Sequence, residues 1–375
     1  MQTTFFIRRL LTGAEEIEFP EITVEDGKIT RLEAGAPNDS DEIFTACFFD
    51  IHVHGACSHD FMAASTEQIA VVGRFLAGRG VAHYLPTTVT GDVEMTLRAL
   101  DRLACAIDAG GTPETQAARP VGIHLEGPFV SHVKRGVHPQ SGILAPNVGL
   151  FDQFQESARG HIRLMTLAPE LPGALELIEH TTAGGVRVSM GHSNATEAET
   201  LAGIRAGAVS ATHTFNAMRS LHHREPGILG VVLDQQHLYA EAICDGIHAH
   251  PVLIRMWLKM KGRDRAILVT DGMSAMGMPD GRYTLGDFDV QVKDGVCLAG
   301  GNLAGSVLTM DVAVENLQRF TGSSLATAVR LASINPARML GLQHLTEVSV
   351  GADANFNVYN VEGRLKGTIL RGKRL

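Results

Sequence analysis

The sequence predicts an α/β fold, a (β/α)₈ barrel of repeated strand–helix units with a small sheet module built from both chain ends. Three observations carry that expectation. The chain has 375 residues, more than one small domain needs and enough for a barrel of about 250 residues with an appended module. Short apolar runs alternate with helix-like stretches through its middle. Both ends instead alternate apolar and polar residues and break at glycines. With 45% hydrophobic and 19% charged residues and 40 Gly, the composition supports a sizeable core and many turns rather than disorder.

Taken in order, residues 1–47 read as short strands, FFIRRLL and EEIEFPEITVEDGKITRLEAG, with Asp26-Gly27 a hairpin signal. Seven runs then read as barrel strands: FFDIHVH, VGIHLEG, IRLMTLAPE, VRVSMGH, AVSATHTF, YAEAICDG and AILVTDG. TEQIAVVGRFLAGRG and NATEAETLAGIRAG read as helices between them. Strand-then-helix repetition argues for a parallel sheet, and seven or eight units argue for a closed barrel. An open doubly wound sheet is the alternative, weakened because no Gly-rich nucleotide loop follows the first strand. The last stretch, HLTEVSVGADANFNVYNVEGRLKGTILRGKRL, resembles the first segment in pattern. The expected division is therefore 1–47 with 344–375 for the small unit and 48–343 for the barrel.

Charge and cysteine content exclude whole classes of function. Thirty-two basic against 41 acidic residues give a net charge of −9, and no basic run is present, so neither nucleic acid nor an anionic membrane is an expected partner. Any anionic ligand must be caught by local groups. Five scattered cysteines without a CxxC pair indicate neither a disulfide framework nor a zinc knuckle. A reducing cytoplasm is the expected location, and no apolar stretch approaches the roughly 20 residues of a membrane helix. The N-terminus lacks a signal-peptide pattern, so the expectation is a soluble, unprocessed protein.

The chemistry gathers at strand ends. In Phe49-Asp50-Ile51-His52-Val53-His54-Gly55 the two-residue period of a strand puts Asp50, His52 and His54 on one face. Alone, such a pair is as readily two buried histidines bonded to backbone as two metal ligands. Four further strand ends carry ligand types: Glu126 in HLEGPF, His192 in MGHSN, His213 in THTFNAM and Asp271 in VTDG. Each singly reads as an ordinary loop residue. Together, on a fold whose sites lie at the carboxyl ends of its strands, they read as a divalent-metal site.

The HVHG strand, HLEGPF, VKRGVHP, GHSNAT, THTFNAM, HREPG, CDGIH, VTDG and GGNLAGS, in that order, resemble N-acetylglucosamine-6-phosphate deacetylases of the amidohydrolase superfamily. The resemblance spans most of residues 48–340. It implies a distorted (β/α)₈ barrel with a small β-sandwich from both chain ends, and a homodimer. It also implies that Glu126, His192 and His213 hold one divalent ion, Zn²⁺ or Fe²⁺, and that Asp271 is the catalytic acid/base. His52 and His54 match the members that hold a second ion, with Glu126 as a bridge. No lysine stands in IRLMTLAPE to act as the carbamylated bridge of hydantoinase-like relatives, which argues against a ring-opening amidase.

The same resemblance makes His138 the group that reaches the substrate carbonyl, where its bland alternative is an exposed loop histidine. It places phosphate at Asn216, Ala217 and Arg224, the arginine acting across the dimer, with the planar fork suited to paired phosphate bonds. A surface Arg224 paired to Glu225 is the competing reading. His222 and His223 are weaker candidates for that job. His248, oriented by Asp245, would contact the sugar, and Leu303, Ala304 and Gly305 would form a substrate-side loop whose competing reading is a plain turn. Met273, Met276 and Met278 read as flexible loop filler, with an adaptable lid as the alternative, and Lys134-Arg135 beside His138 as a solvated charge pair, with assistance to an anion as the alternative. The implied activity is hydrolytic removal of acetate from N-acetylglucosamine-6-phosphate. Its galactose epimer, an N-acyl-amino-acid deacetylase or dihydroorotase-like chemistry, and a silent sugar-phosphate binder are the rivals.

Overall fold

The computed structural model describes residues 2–13, 15–110 and 116–375. Eight parallel strands follow one another around a ring: β1 (Phe48–Val53), β2 (Val81–Thr88), β3 (Ile123–Glu126), β4 (Ile162–Leu167), β5 (Arg187–Met190), β6 (Ser210–Ala211), β7 (Tyr239–Ile243) and β8 (Ala266–Val269). Beyond β8 the ring closes on β1, where Asp271 N donates to His52 O at 2.9 Å and His54 N to Gly272 O at 2.7 Å. Val53 and Gly272 form a parallel bridge there. That closure excludes the open doubly wound alternative. Seven of these strands lie in the apolar runs; β2 is the eighth. The two stretches expected to be helical are helices, Thr66–Gly78 and Glu197–Ala206, and each begins at a capping box, Ser65 with Gln68 and Thr196 with Glu199.

Alternation along each strand sends Ile51 and Val53 one way and Asp50, His52 and His54 the other, into the barrel. The lumen is polar. Thr87 Oγ1 meets His124 Nδ1 at 3.4 Å, His124 Nε2 meets Thr166 Oγ1 at 2.8 Å, and Thr166, Thr212 and Ser189 hydroxyls continue the chain at 2.7 Å each. These side chains are almost wholly withdrawn from solvent. Buried polar groups are costly unless partnered, so this ladder of partners is what lets the barrel carry a polar interior.

Both chain ends share one six-stranded sheet. Its strand Ile43–Ala46 pairs parallel with Arg9–Leu11 and antiparallel with Phe356–Tyr359. A three-stranded sheet, Gln2–Phe6, Pro20–Glu25 and Lys28–Ala34, turns at Asp26-Gly27, both with positive φ, as a two-residue hairpin of that sequence requires. Side chains of both sheets, among them Leu10, Ile22, Val24, Ile29, Phe44 and Phe356, form a single buried cluster. The result is a small β-sandwich beside the barrel.

One element departs from expectation. Residues between β8 and the next helix form a four-stranded antiparallel meander, Gly281–Leu285, Phe288–Lys293, Val296–Ala299 and Asn302–Leu303. It packs through Leu285, Val290, Val292 and Cys297 against Met62, Val89 and Met273. Met273 and Met276 are fully buried, so they are core residues rather than lid filler, while Met278 is partly exposed. Among the described residues no helix is long and apolar enough to cross a membrane.

Candidate metal centre

Six residues at the ends of five strands converge in two groups, His52, His54 and Asp271, and Glu126, His192 and His213, each with its ligand atoms within 4.8 Å of one another. His52 and His54 stand on and just past β1 and Glu126 ends β3. His192, His213 and Asp271 follow β5, β6 and β8, and all three have left-handed backbones, with φ of 46°, 30° and 50°. Such conformations cost on the order of 1–3 kcal/mol each for non-glycine residues and persist where surrounding structure imposes them. Here they turn the side chain off the strand direction and back over the barrel mouth. The loop after β5 is anchored by Glu170, which accepts from Ser193 Oγ at 2.7 Å and from Asn194 N at 2.6 Å.

The spacing fits divalent cations. His192 and His213 Nε2 atoms lie 3.0 Å apart, and each is 3.2–3.3 Å from Glu126 Oε1. In the other group His52 and His54 Nε2 are 3.3 Å apart, and Asp271 Oδ1 lies 3.5 and 3.2 Å from them. Ligands about 2.0–2.1 Å from a common ion sit roughly 3.0–3.4 Å from one another, whereas two imidazole nitrogens facing each other can share only one proton. Glu126 spans both groups, with Oε1 3.5 Å from His52 Nε2 and Oε2 3.3 Å from His54 Nε2.

Electrostatics point the same way. Burial works against a charged imidazole at His54, yet Asp271 and Glu126 raise its pKa to about 9. His52 is raised well above the ordinary value against the same burial, by Glu126 and then Asp271. Burial also penalises the Glu126 and Asp271 carboxylates, and the imidazoles, His52 foremost, overcome it and hold both below the usual range. Two ionised carboxylates therefore call for positive charge at the Nε2 atoms, and divalent cations supply it as protons do. The outer nitrogens are mostly committed: His54 Nδ1 to Thr87 O at 3.2 Å and His192 Nδ1 to Lys134 O at 3.1 Å.

Above the centre opens a cavity of about 310 Å³. Of the residues singled out in the sequence, it is lined by His54, Glu126, His138, His192, His213, Asn216, Ala217, His248, Asp271, Leu303 and Gly305. His138 is buried, its Nδ1 2.6 Å from Thr90 Oγ1, and not the exposed loop histidine of the competing reading. Burial, aided by the neighbouring His192 imidazole, pushes its pKa well below the ordinary value and so favours the neutral ring. His248 Nδ1 lies 2.6 Å from Asp245 Oδ2.

Three expected site residues are not at the cavity wall. His52 lies beneath it, fully buried. Ala304 turns into the cluster with Met273 and gives its N–H to Cys297 O. Arg224 is exposed, its guanidinium 2.9 Å from His223 Nε2, and Glu225 pairs with Arg219 instead. Asp50 is also outside the two groups: it ties β1 to β8 through Thr270 Oγ1 and the His52 and Thr270 amides. Val89 and Leu285 line the cavity without having been foreseen, Lys134 lines it as well, and Arg135 donates to His138 O at 2.7 Å, so Lys134-Arg135 is more than a solvated pair. A basic pair three and four residues before a histidine carries no sequence signal for that geometry.

The amidohydrolase family profile matches residues 43–375. An N-acetylgalactosamine-6-phosphate deacetylase of Escherichia coli O157:H7 is 38% identical over 339 residues, 89% of either chain. An N-acetylglucosamine-6-phosphate deacetylase of Bacillus subtilis (strain 168) is 34% identical, covering 97% of this chain and 94% of its own. Among solved structures, a mutant N-acetyl-D-glucosamine-6-phosphate deacetylase from Mycobacterium smegmatis, in complex with N-acetyl-D-glucosamine-6-phosphate, superposes with a TM-score of 0.93 at 31% identity, over 100% of this chain and 99% of its own.

Proposed function

The chain belongs to the amidohydrolase family, and we propose that within it the protein hydrolyses the acetamide of N-acetylglucosamine-6-phosphate, giving glucosamine-6-phosphate and acetate. The observation that carries this reading is the pair of ligand groups joined by Glu126 at the floor of a cavity, in a chain similar end to end to deacetylases of that substrate. Glu126, His192 and His213 would hold one Zn²⁺ or Fe²⁺, and His52, His54 and Asp271 a second, with Glu126 shared. Bound there, such a cation supplies Lewis acidity toward water and toward the acetamide carbonyl.

The remaining work falls to the chain. Asp271 reaches the cavity and lies 3.2 Å from His54, placed to take a proton from the attacking water and return it to the departing nitrogen. The return is needed because an amide anion is too basic to leave. Neutral His138 can accept the Thr90 hydroxyl proton at Nδ1 and present Nε2–H to the carbonyl oxygen, where charge develops. His248, held by Asp245, would face the sugar, with Leu303 and Gly305 on the same cavity wall as its substrate-side loop. Asn216 and Ala217 face the phosphate end.

Arg224 fits this scheme as a donor to the cavity of a second subunit in a homodimer, since it is exposed on its own. Arg224→Ala should raise the KM for the phosphorylated sugar at least tenfold more than for free N-acetylglucosamine; equal effects on both would remove it from the phosphate site. A cytoplasmic location accords with five free cysteines among the described residues. The galactose epimer is a second reading, favoured by the 38% identity to a deacetylase of N-acetylgalactosamine-6-phosphate. Acetate release from both phosphorylated epimers, free N-acetylglucosamine and an N-acetyl amino acid decides between them. Fast release from the glucose derivative supports the proposal, while activity confined to the epimer or to the amino acid overturns its substrate assignment.

A further inference from the structure

We propose that Glu241 is a positioning residue that decides whether the His52, His54 and Asp271 group holds its cation, and so whether the centre carries one ion or two. The inference rests on the proposed function only in placing cations at the two groups. Glu241 lies on β7 with its side chain in the lumen and no solvent exposure. Among the described residues it has no Lys or Arg ion-pair partner; its one charged neighbour is His52, with Oε2 3.4 Å from Nδ1. The same oxygen lies 3.4 Å from the backbone N of His213, and Oε1 has no hydrogen-bond partner. One carboxylate oxygen thus touches a ligand residue from each group.

Tautomer chemistry gives that contact its meaning. An imidazole that offers the Nε2 lone pair to a cation keeps its proton on Nδ1, and the acceptor of that proton fixes the ring and raises its basicity. His54 and His192 use backbone carbonyls, which the fold supplies whatever the side chains are. His52 alone depends on a side-chain carboxylate. For His213 the contact runs through the backbone, leaving its ring free of Glu241. Loss of the carboxylate should therefore fall first on the His52 group and spare the Glu126, His192 and His213 group.

Glu241→Gln is nearly isosteric and tests this by metal binding, with no substrate involved. Equilibrium dialysis against buffered Zn²⁺, counted by elemental analysis, should give two ions per wild-type chain. In the variant one ion should bind as tightly as before, and the second about 10–100-fold more weakly. Chelated Glu241→Gln should still melt in one cooperative transition close to the chelated wild type, because the amide keeps the shape and an oxygen that can accept from His52 Nδ1. Glu241→Asp, which shortens the reach by one methylene, should weaken the same ion and serves if the amide perturbs folding. The proposal is overturned if the variants take up both ions with unchanged affinity, if the wild type never binds more than one, or if the variants, melting far below wild type when chelated, fail to take up either ion on dialysis. Two bound ions without acetate release from any sugar phosphate would remove the deacetylase reading and leave Glu241 in place.

Discussion

At the scale of single residues, Asp271 is asked to do the most. Its carboxylate stands 3.2 and 3.5 Å from the His54 and His52 imidazoles and opens on the cavity. Asp271→Asn keeps the shape but cannot accept the water's proton, so turnover should fall by about 10²–10⁴-fold or more while one ion per chain stays at Glu126, His192 and His213. Near-normal rates would end its assignment as acid and base. The residue types of this centre were legible: His52 and His54 through strand alternation, the others through their places at strand ends. Their supports were not. Thr87 and Lys134 act through carbonyl oxygens, which any residue would provide, and Glu241 in YAEAI looks like any charged residue in an apolar run.

The elements show where pattern reading fails. Strand β2, VAHYLPTT, follows its helix after a single glycine turn and contains Pro86, a residue ordinarily barred from central strands, so nothing marks it off from TEQIAVVGRFLAGRG. The meander at 281–303 alternates clearly, as in FDVQVK with Val290 and Val292 buried, but it interrupts the strand–helix series and nothing in its own pattern says which core it packs on. The turn after β3 was legible as a motif and its reason lies in space. Gly127 has φ of 73°, and a Cβ there would collide with Thr90 Oγ1, the partner of His138. Gly127→Ala should cost roughly 1–3 kcal/mol in urea unfolding and lower kcat more than it raises KM, because His138 loses its orientation. Unchanged kinetics in a folded variant would show that Thr90 does not hold His138 for the reaction.

Across the whole molecule, stability should carry an acid limit set far from the centre. His83 on β2 is buried, with Nδ1 lacking a partner, and burial, aided by Arg119, lowers its pKa to about 4. The unfolded chain takes up that proton near 6.5, so between those values acid favours unfolding. Its contribution is fully present above about 6.5 and is lost as pH falls toward 4, on the order of 3 kcal/mol in all. Urea midpoints of chelated protein should drop over that range in the wild type and drop less in His83→Gln; parallel curves would exclude His83. The sheet that joins the chain ends has a consequence in time. Ile43–Ala46 leads straight into β1, but its neighbour Phe356–Tyr359 lies about 310 positions later, the separation of Cys47 and Asn357. At roughly 5–20 residues per second of synthesis, that edge waits some 15–60 s for its partner on the ribosome. A nascent chain halted before residue 356 would present an open, apolar strand edge, since Phe356–Tyr359 is the strand that covers Ile43–Ala46 on that side.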